Sequence, residues 1–232
     1  TGAKTHTYAD GALAANITVD VVDEEGTHAA AGTKAVTVNN GVPTIAVAGN
    51  ASVAEGATFT LTLGAVTDPG DDTVGSYIVD WGDGSSDTYD IDGDKTHIYA
   101  DGDADYTIRV DLVDEDGTHT GAATHVVSVT DVAPTIALAG DDTTDEGTEY
   151  TLTLGAVTDP GADTIASYVV HWGDGTSDTY DTAGDKTHAY ADGDADADAD
   201  QTITVDLVNE DGVFVGAASK TITVNDVAPT IT

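Results

Sequence analysis

The chain repeats itself, and that limits its fold more than any other feature. Asp94-Lys95-Thr96-His97 returns as Asp185–His188, 91 residues on, and Lys4-Thr5-His6 stands 91 residues before the first copy. Pro43-Thr44-Ile45 returns at Pro134-Thr135-Ile136 with the same offset, and again at Pro229–Ile231 after 95 residues. The four extra residues fall in the Asp-Ala run 194–200. Residues 43–105 and 134–196 agree at 45 of 63 positions. The chain therefore divides into the C-terminal part of a repeat (1–41), a complete repeat (42–132), and a second complete repeat with the start of the next (133–232). It reads as an excerpt of a longer tandem array. Whatever one unit folds into must close within 91 residues and bear indefinite repetition. Near-identical neighbours suit spacers and multivalent binders better than a catalytic domain.

Hydrophobic periodicity assigns strands inside the unit. Thr58–Leu63 alternates with period two, and so does Tyr106–Val113. Thr44–Ala48, Ser76–Trp81, Asp87–Ile91, Lys95–Tyr99 and Thr124–Thr130 complete a set of seven, separated by Asp68-Pro69-Gly70, Gly82-Asp83-Gly84 and the acidic turn Asp114–Gly117. Seven short strands with a turn every ~8–12 residues is the spacing of a β-sandwich. No stretch holds a helical period. Tyr77, Val79, Trp81 and the inward half of Thr107–Val113 are the expected core. The fragment 1–41 lacks the Trp-bearing strand and is not expected to close a sandwich alone.

Charge narrows the partners. Acids number 43 against 6 Lys and Arg, a net charge of −37, and 36 of the acids are Asp. Nucleic-acid binding needs the opposite sign, as does attraction to an anionic membrane. No apolar run of ~18 residues could span a bilayer as a helix. Without cysteine there is no disulfide, thiolate site or cysteine nucleophile. Asp in place of Glu points to turns rather than helix surfaces, and to short, hard oxygen ligands.

Three acidic clusters recur at equivalent places. One is Asp68-Pro69-Gly70-Asp71-Asp72, matched by Asp159–Asp163; a second is Asp114-Glu115-Asp116, matched by Asn209-Glu210-Asp211 and Asp23-Glu24-Glu25; the third precedes each Pro, at Asn39-Asn40, Thr130-Asp131 and Asn225-Asp226. Oxygen-only clusters of this kind suit Ca²⁺, which takes about 6–8 oxygens at ~2.3–2.6 Å. Glu55 and Glu146, each before a Gly near the same end of the unit, are further candidate ligands. Asp101-Gly102-Asp103-Ala104-Asp105 also looks like a ligand string. Its first copy keeps one acid (Asp10–Ala14) and its third has grown to Asp192–Asp200, so a solvated hairpin tip is expected there.

The motifs Tyr77–Gly84 with its Trp81-Gly82-Asp83-Gly84, His97-Ile98-Tyr99, Tyr106–Val110 and Val113–Gly117 resemble a polycystic-kidney-disease (PKD) domain. Tyr168–Gly175, His188–Tyr190 and Ile203–Gly212 repeat the pattern, and His6-Thr7-Tyr8 with Val22–Gly26 matches its last third. The resemblance implies an all-β, immunoglobulin-like sandwich in each unit, of the kind found in bacterial surface proteins, giant adhesins and secreted hydrolases. It also implies a ligand set, because the acidic turns and entering linker of calcium-binding relatives share an ion. Carried over, that gives Asp131, Asp159, Asp163 and Asp211 in the last repeat and Asn40, Asp68, Asp72 and Asp116 in the preceding one.

The expected role is a non-catalytic extender at the cell surface, with Ca²⁺ stiffening the acidic linkers and neighbouring repeats as the immediate partners. One unit would add roughly 35–45 Å. A glycan- or protein-binding module, with Tyr89 and Tyr180 as its candidate platforms, and a self-assembling filament of several copies are the alternatives. His97 and His188 lack a Ser or Cys nucleophile, and Asp80 is replaced by His171 in the next copy, so no shared catalytic set is expected.

Overall fold

A computed structural model describes residues 2–191 and 198–228. The chain is all-β, with 18 strands and no helix among the described residues. It packs into two compact units whose limits are offset from the sequence repeats. One comprises Thr1–Ser52, Thr58–His97 and Asp105–Ser128; the other comprises Val53–Ala57, Ile98–Ala104 and Val129–Thr232.

In the first unit, β1 (Leu13–Asp23) and β2 (Gly26–Val38) form a two-stranded antiparallel sheet. This ribbon is what the partial repeat provides, and it leaves Ile17, Val19, Val21 and Val22 exposed. The chain continues through β3 (Thr44–Gly49), β4 (Ser52–Ala54, of which Val53 and Ala54 belong to the second unit), β5 (Thr58–Thr67), β6 (Ser76–Asp80), β7 (Ser86–Tyr89), β8 (Gly93–Ile98), β9 (Ala104–Asp114) and β10 (Gly117–Thr130). One sheet runs β3-β5-β8, and β10, β9, β6 and β7 are successive neighbours in another. In β5 the alternation puts Phe59, Leu61 and Leu63 inside and Thr58 and Thr60 outside. Val79, Trp81, Ile108, Val110 and Leu112 are fully buried, as the sequence pattern predicts.

The second unit carries β11 (Thr135–Ala139), β12 (Thr143–Asp145), β13 (Glu149–Thr158), β14 (Ser167–His171), β15 (Ser177–Tyr180), β16 (Gly184–Ala189), β17 (Ala199–Val208) and β18 (Val213–Asn225). Its sheets are β11-β13-β16 and β12-β18-β17-β14-β15. Between them Tyr150, Leu152 and Leu154 of one sheet pack with Val170, Trp172, Val205, Leu207 and Ile222 of the other. This is an immunoglobulin-like sandwich with two facing sheets.

Among the described residues each complete repeat has eight strands, not seven. The addition is the three-residue β4 and its counterpart β12, which pairs parallel to β18 through Thr143↔Thr223 and Asp145↔Asn225. Ser52-Val53-Ala54 and Thr143-Thr144-Asp145 share no apolar pattern, so periodicity could not find them. These short strands deliver Glu55 and Glu146 immediately after them.

Many Asp residues build turns. Asp20, Asp111 and Asp206 occupy equivalent positions, and each accepts the backbone N–H of the residue ten further on, at 2.7–2.8 Å. Asp23, Asp114 and Asn209 cap the following turn through the N–H groups two and three residues on. The Asp-Ala run is described only at 198–200; its residues 192–197, like Pro229–Ile231, lie outside the described residues.

Candidate metal centre

The loop after β13 turns at Asp159, whose Oδ1 accepts the Gly161 N–H at 3.0 Å. The turn consumes one carboxylate oxygen and leaves Oδ2 buried without a hydrogen bond. Asp68 does the same in the preceding repeat, with Oδ1 on the Gly70 N–H at 2.7 Å and Oδ2 unpartnered. Turn residue and ligand are therefore compatible roles for one Asp.

Glu55 completes the centre of the second unit. It is 1% exposed. Its backbone N–H donates to Thr130 O at 3.0 Å, and its Oε1 accepts the Val132 N–H at 2.9 Å, which leaves Oε2 buried and unpartnered. Two glycines make room for it. A Cβ on Gly161 would fall 2.6–2.8 Å from the Glu55 carboxylate, and one on Gly102 would fall 2.9 Å from Oε2 and 2.6 Å from Asp131 N. Carboxylate oxygens of Glu55, Asp131 and Asp163 all lie within 4.8 Å of one another, and so do those of Asp101, Asp163 and Asp211.

The first unit repeats the arrangement. Asp10, Asp72 and Asp116 form one triad within 4.8 Å, and Asp68, Asp72 and Asp114 another. Asn40 stands where the second unit has Asp131, with its Oδ1 buried and unpartnered.

Among the described residues ten buried side-chain polar atoms lack a hydrogen bond. Two of them, Asp114 Oδ2 and His119 Nε2, lie 2.7 Å apart and form an ion pair. The other eight are Asn40 Oδ1, Asp68 Oδ2, both oxygens of Asp72, Glu55 Oε2, Asp131 Oδ1, Asp159 Oδ2 and Asp163 Oδ1. All eight belong to residues that the sequence singles out as ligands. Buried polar atoms are nearly always paired, so this concentration is a property of the site.

Like charge in a poorly hydrated cluster raises carboxyl pKa values. Desolvation, then Asp68, Asp10 and Asp116, push the Asp72 carboxyl up to about 6. Desolvation, then Glu55, Asp159 and Asp211, do the same to Asp163, also to about 6. Glu55 is raised by burial and by Asp131 and Asp159, against the opposing Val132 hydrogen bond. Asp211 is raised by desolvation and by Asp131 and Asp101. Asp114 goes the other way: burial pushes it up, but His119 and the N–H groups of Asp116 and Gly117 outweigh that and hold it low. A divalent cation would relieve the raised groups. The donors are all hard oxygens, and oxygens sharing a Ca²⁺ at ~2.3–2.6 Å are at most ~5 Å apart, a limit that each triad meets.

The expected ligands thus gather as two groups, with Asp131, Asp159, Asp163, Asp211 and Glu55 in one and Asn40, Asp68, Asp72 and Asp116 in the other. Glu146 repeats the backbone pattern of Glu55, donating to Asn225 O at 3.1 Å and accepting the Val227 N–H at 3.1 Å, with no acidic triad around it among the described residues. One expectation is corrected. The Asp101–Asp105 segment is not merely a solvated tip: Gly102 is buried against Asp131, and Asp101 joins the triad with Asp163 and Asp211. The overlooked signal is positional, since Asp10-Gly11 and Asp101-Gly102 keep the one acid that joins each triad.

The other candidates take part in packing and hydrogen bonds. Trp81 and Trp172 are fully buried, each donating Nε1–H to Asp87 or Asp178 at 2.9 or 2.8 Å. Each stacks on His97 or His188 at 4.7 Å, and each His contacts Asp83 or Asp174 at 2.7 or 2.8 Å. Tyr89 and Tyr180 pair across strands with Tyr77 and Tyr168 and lie under Lys95 and Lys186.

No protein-family model and no curated protein matches the chain. The chain is a tandem array of immunoglobulin-like β-sandwiches. Similar solved structures include the fibronectin(III)-like modules of Clostridium thermocellum CbhA, at 16% identity over 78% of this chain and 95% of that one, with a TM-score of 0.32. The titin domains Z1Z2, in complex with telethonin, are 14% identical over 83% of this chain and 100% of theirs, with a TM-score of 0.36. Three N-terminal domains of the bacteriophage RB49 highly immunogenic outer capsid protein are 17% identical over 80% and 59%, with a TM-score of 0.29. None of these likenesses bears on the acidic centres.

Proposed function

We propose that the chain is a non-catalytic extracellular extender, built of PKD-like repeats of a large surface or adhesin-type protein and tied from repeat to repeat by Ca²⁺. The supporting observation is Glu55. It belongs to the repeat 42–132, yet its buried, unpaired oxygen meets Asp163 of the next repeat and Asp131 from the segment joining them. An ion held there would fasten successive repeats and cancel the repulsion between their carboxylates.

The fold has no disulfide to do this, and Ca²⁺ is abundant enough outside cells for a millimolar-range site to fill. Binding to the folded form alone stabilises by about 2.7 kcal/mol at a hundredfold excess over Kd. Melting the protein in Ca²⁺ and in chelator tests the reading. For sandwiches of this size the expected rise in Tm is about 10 °C or more. Scattering in the same two buffers should show a narrower range of extensions with Ca²⁺. Equal melting curves and equal scattering would leave the acids as turn formers and remove the case for an ion-tied extender.

A further inference from the structure

We propose that Asp163 bridges two calcium ions, so that the centre of the second unit is binuclear: one ion bound by Glu55, Asp131 and Asp163, and a second by Asp101, Asp163 and Asp211. The proposal rests on the calcium reading above and goes beyond it in nuclearity and in the assignment of ligands.

Three observations carry it. Asp163 is common to two triads, each compact enough for the ligand sphere of a single ion. The two triads draw on separate stretches of chain apart from Asp163: Glu55 and Asp131 in the first, the Asp101 loop and the Asp211 turn in the second. Glu55, almost fully buried, turns an unpaired oxygen into the first triad, which distinguishes it from a chance patch of surface acids.

Charge supports the same count. With Asp159, six carboxylates meet at this centre. One Ca²⁺ would leave a residual charge of about −4 in a partly desolvated cluster, and two would leave about −2. Asp163 has the oxygens for the task. Oδ1 is buried and unpartnered, and Oδ2 accepts a single hydrogen bond, from Asn209 Nδ2 at 3.1 Å, so each oxygen retains a lone pair for an ion. Asn209 itself is buried and held by its own turn, its Oδ1 accepting the Asp211 and Gly212 N–H groups. It fixes the bridging carboxylate without adding charge.

The test counts ions on the full chain by equilibrium dialysis against Ca²⁺ with metal analysis, in salt high enough to screen loose association. Asp163→Asn should lower the number bound by two relative to the wild type. Glu55→Gln and Asp211→Asn should each lower it by one, and their combination by two. Unchanged Trp fluorescence and strand circular dichroism confirm that each variant is folded. If Asp163→Asn fails to fold, the Glu55→Gln/Asp211→Asn pair decides alone, because a single shared ion cannot be lost twice. A loss of one ion from both Asp163→Asn and the double variant would overturn the binuclear centre and leave the calcium reading standing. A wild type that binds no Ca²⁺ would overturn both.

Discussion

The two acidic centres share a plan and differ at two matched positions. Asp10, Asp68, Asp72 and Asp116 in the first unit correspond to Asp101, Asp159, Asp163 and Asp211 in the second. Asn40 then takes the place of Asp131, and Asp114 that of Asn209. The triad Asp10-Asp72-Asp116 has the same composition as Asp101-Asp163-Asp211. The second triads are unequal. That of the first unit depends on Asp114, whose Oδ1 caps the N–H groups of Asp116 and Gly117 and whose Oδ2 pairs with His119. That of the second unit offers Glu55 Oε2 and Asp131 Oδ1, neither of them engaged. Each centre has four buried, unpartnered side-chain oxygens, so the difference lies in this second triad, where Asp114 is engaged and Glu55 and Asp131 are not: the second centre should hold that ion more tightly.

Removing Ca²⁺ at neutral pH is the sharpest way to separate them. The second unit should lose more than the first, so a single melting transition in Ca²⁺ should split in chelator, with the Trp172-bearing sandwich melting earlier. Near-ultraviolet signals of Trp81→Phe and Trp172→Phe variants can assign the two transitions. Coincident transitions in chelator would mean that the centres contribute equally.

Next in size is the pH dependence without metal. Asp72 and Asp163 have folded-state values of about 6, above the ordinary carboxyl value of 3.8. Between these values the folded protein holds more protons than the unfolded chain, so stability in chelator should rise as pH falls from 7 towards 5. It should be lost again only at lower pH, where Asp83, Asp114 and Asp174, all held below the ordinary carboxyl value, take up protons. Protons compete with Ca²⁺ for the raised groups, so the Tm gained from Ca²⁺ should shrink over the same interval. A chelated protein most stable at pH 7 would contradict this.

A smaller effect should narrow the difference between the centres. Asn40→Asp restores the carboxylate present as Asp131, and it should tighten Ca²⁺ binding in the first unit roughly tenfold, or about 1.4 kcal/mol. Calorimetry on this variant reads the change directly. In chelator the same substitution should lower Tm by a few degrees, because it adds one more like charge. Smallest of all, Glu210→Gln should leave ion counts unchanged and move Tm by only about 1 °C. Glu210 belongs to neither triad and only adds its charge to the rise of Asp163 and Asp211; it accepts the Thr164 N–H on an exposed surface, and neutral Gln can accept it too.

Much of this was legible in the sequence, for identifiable reasons. Strands such as β5 are read, over Thr58–Leu63, from alternation because one face is buried and the other is Thr. Asp68, Asp72, Asp159 and Asp163 stand out because a turn motif returns after 91 residues with only Asp71 changed, to Ala162. Asp101 was hidden by its neighbours. Asp103, which sits at φ 48°, and Asp105 made the loop look like a variable acidic tip, although only the Asp-Gly pair is seated at the centre. The depth of Glu55 was equally hidden. It follows from a three-residue strand without apolar pattern, and from two glycines far away in the chain that leave space for its carboxylate.

The offset between packing and periodicity has an evolutionary consequence. The second compact unit takes Val53–Ala57 and Ile98–Ala104 from one copy and the rest from the segments that follow. Each copy therefore carries half of the centre before it and half of the centre after it. An in-frame gain or loss of one copy by unequal recombination would rejoin matching halves and leave every internal centre whole. Selection could then adjust the length of the protein in steps of one repeat, 91 or 95 residues, without any compensating point mutation.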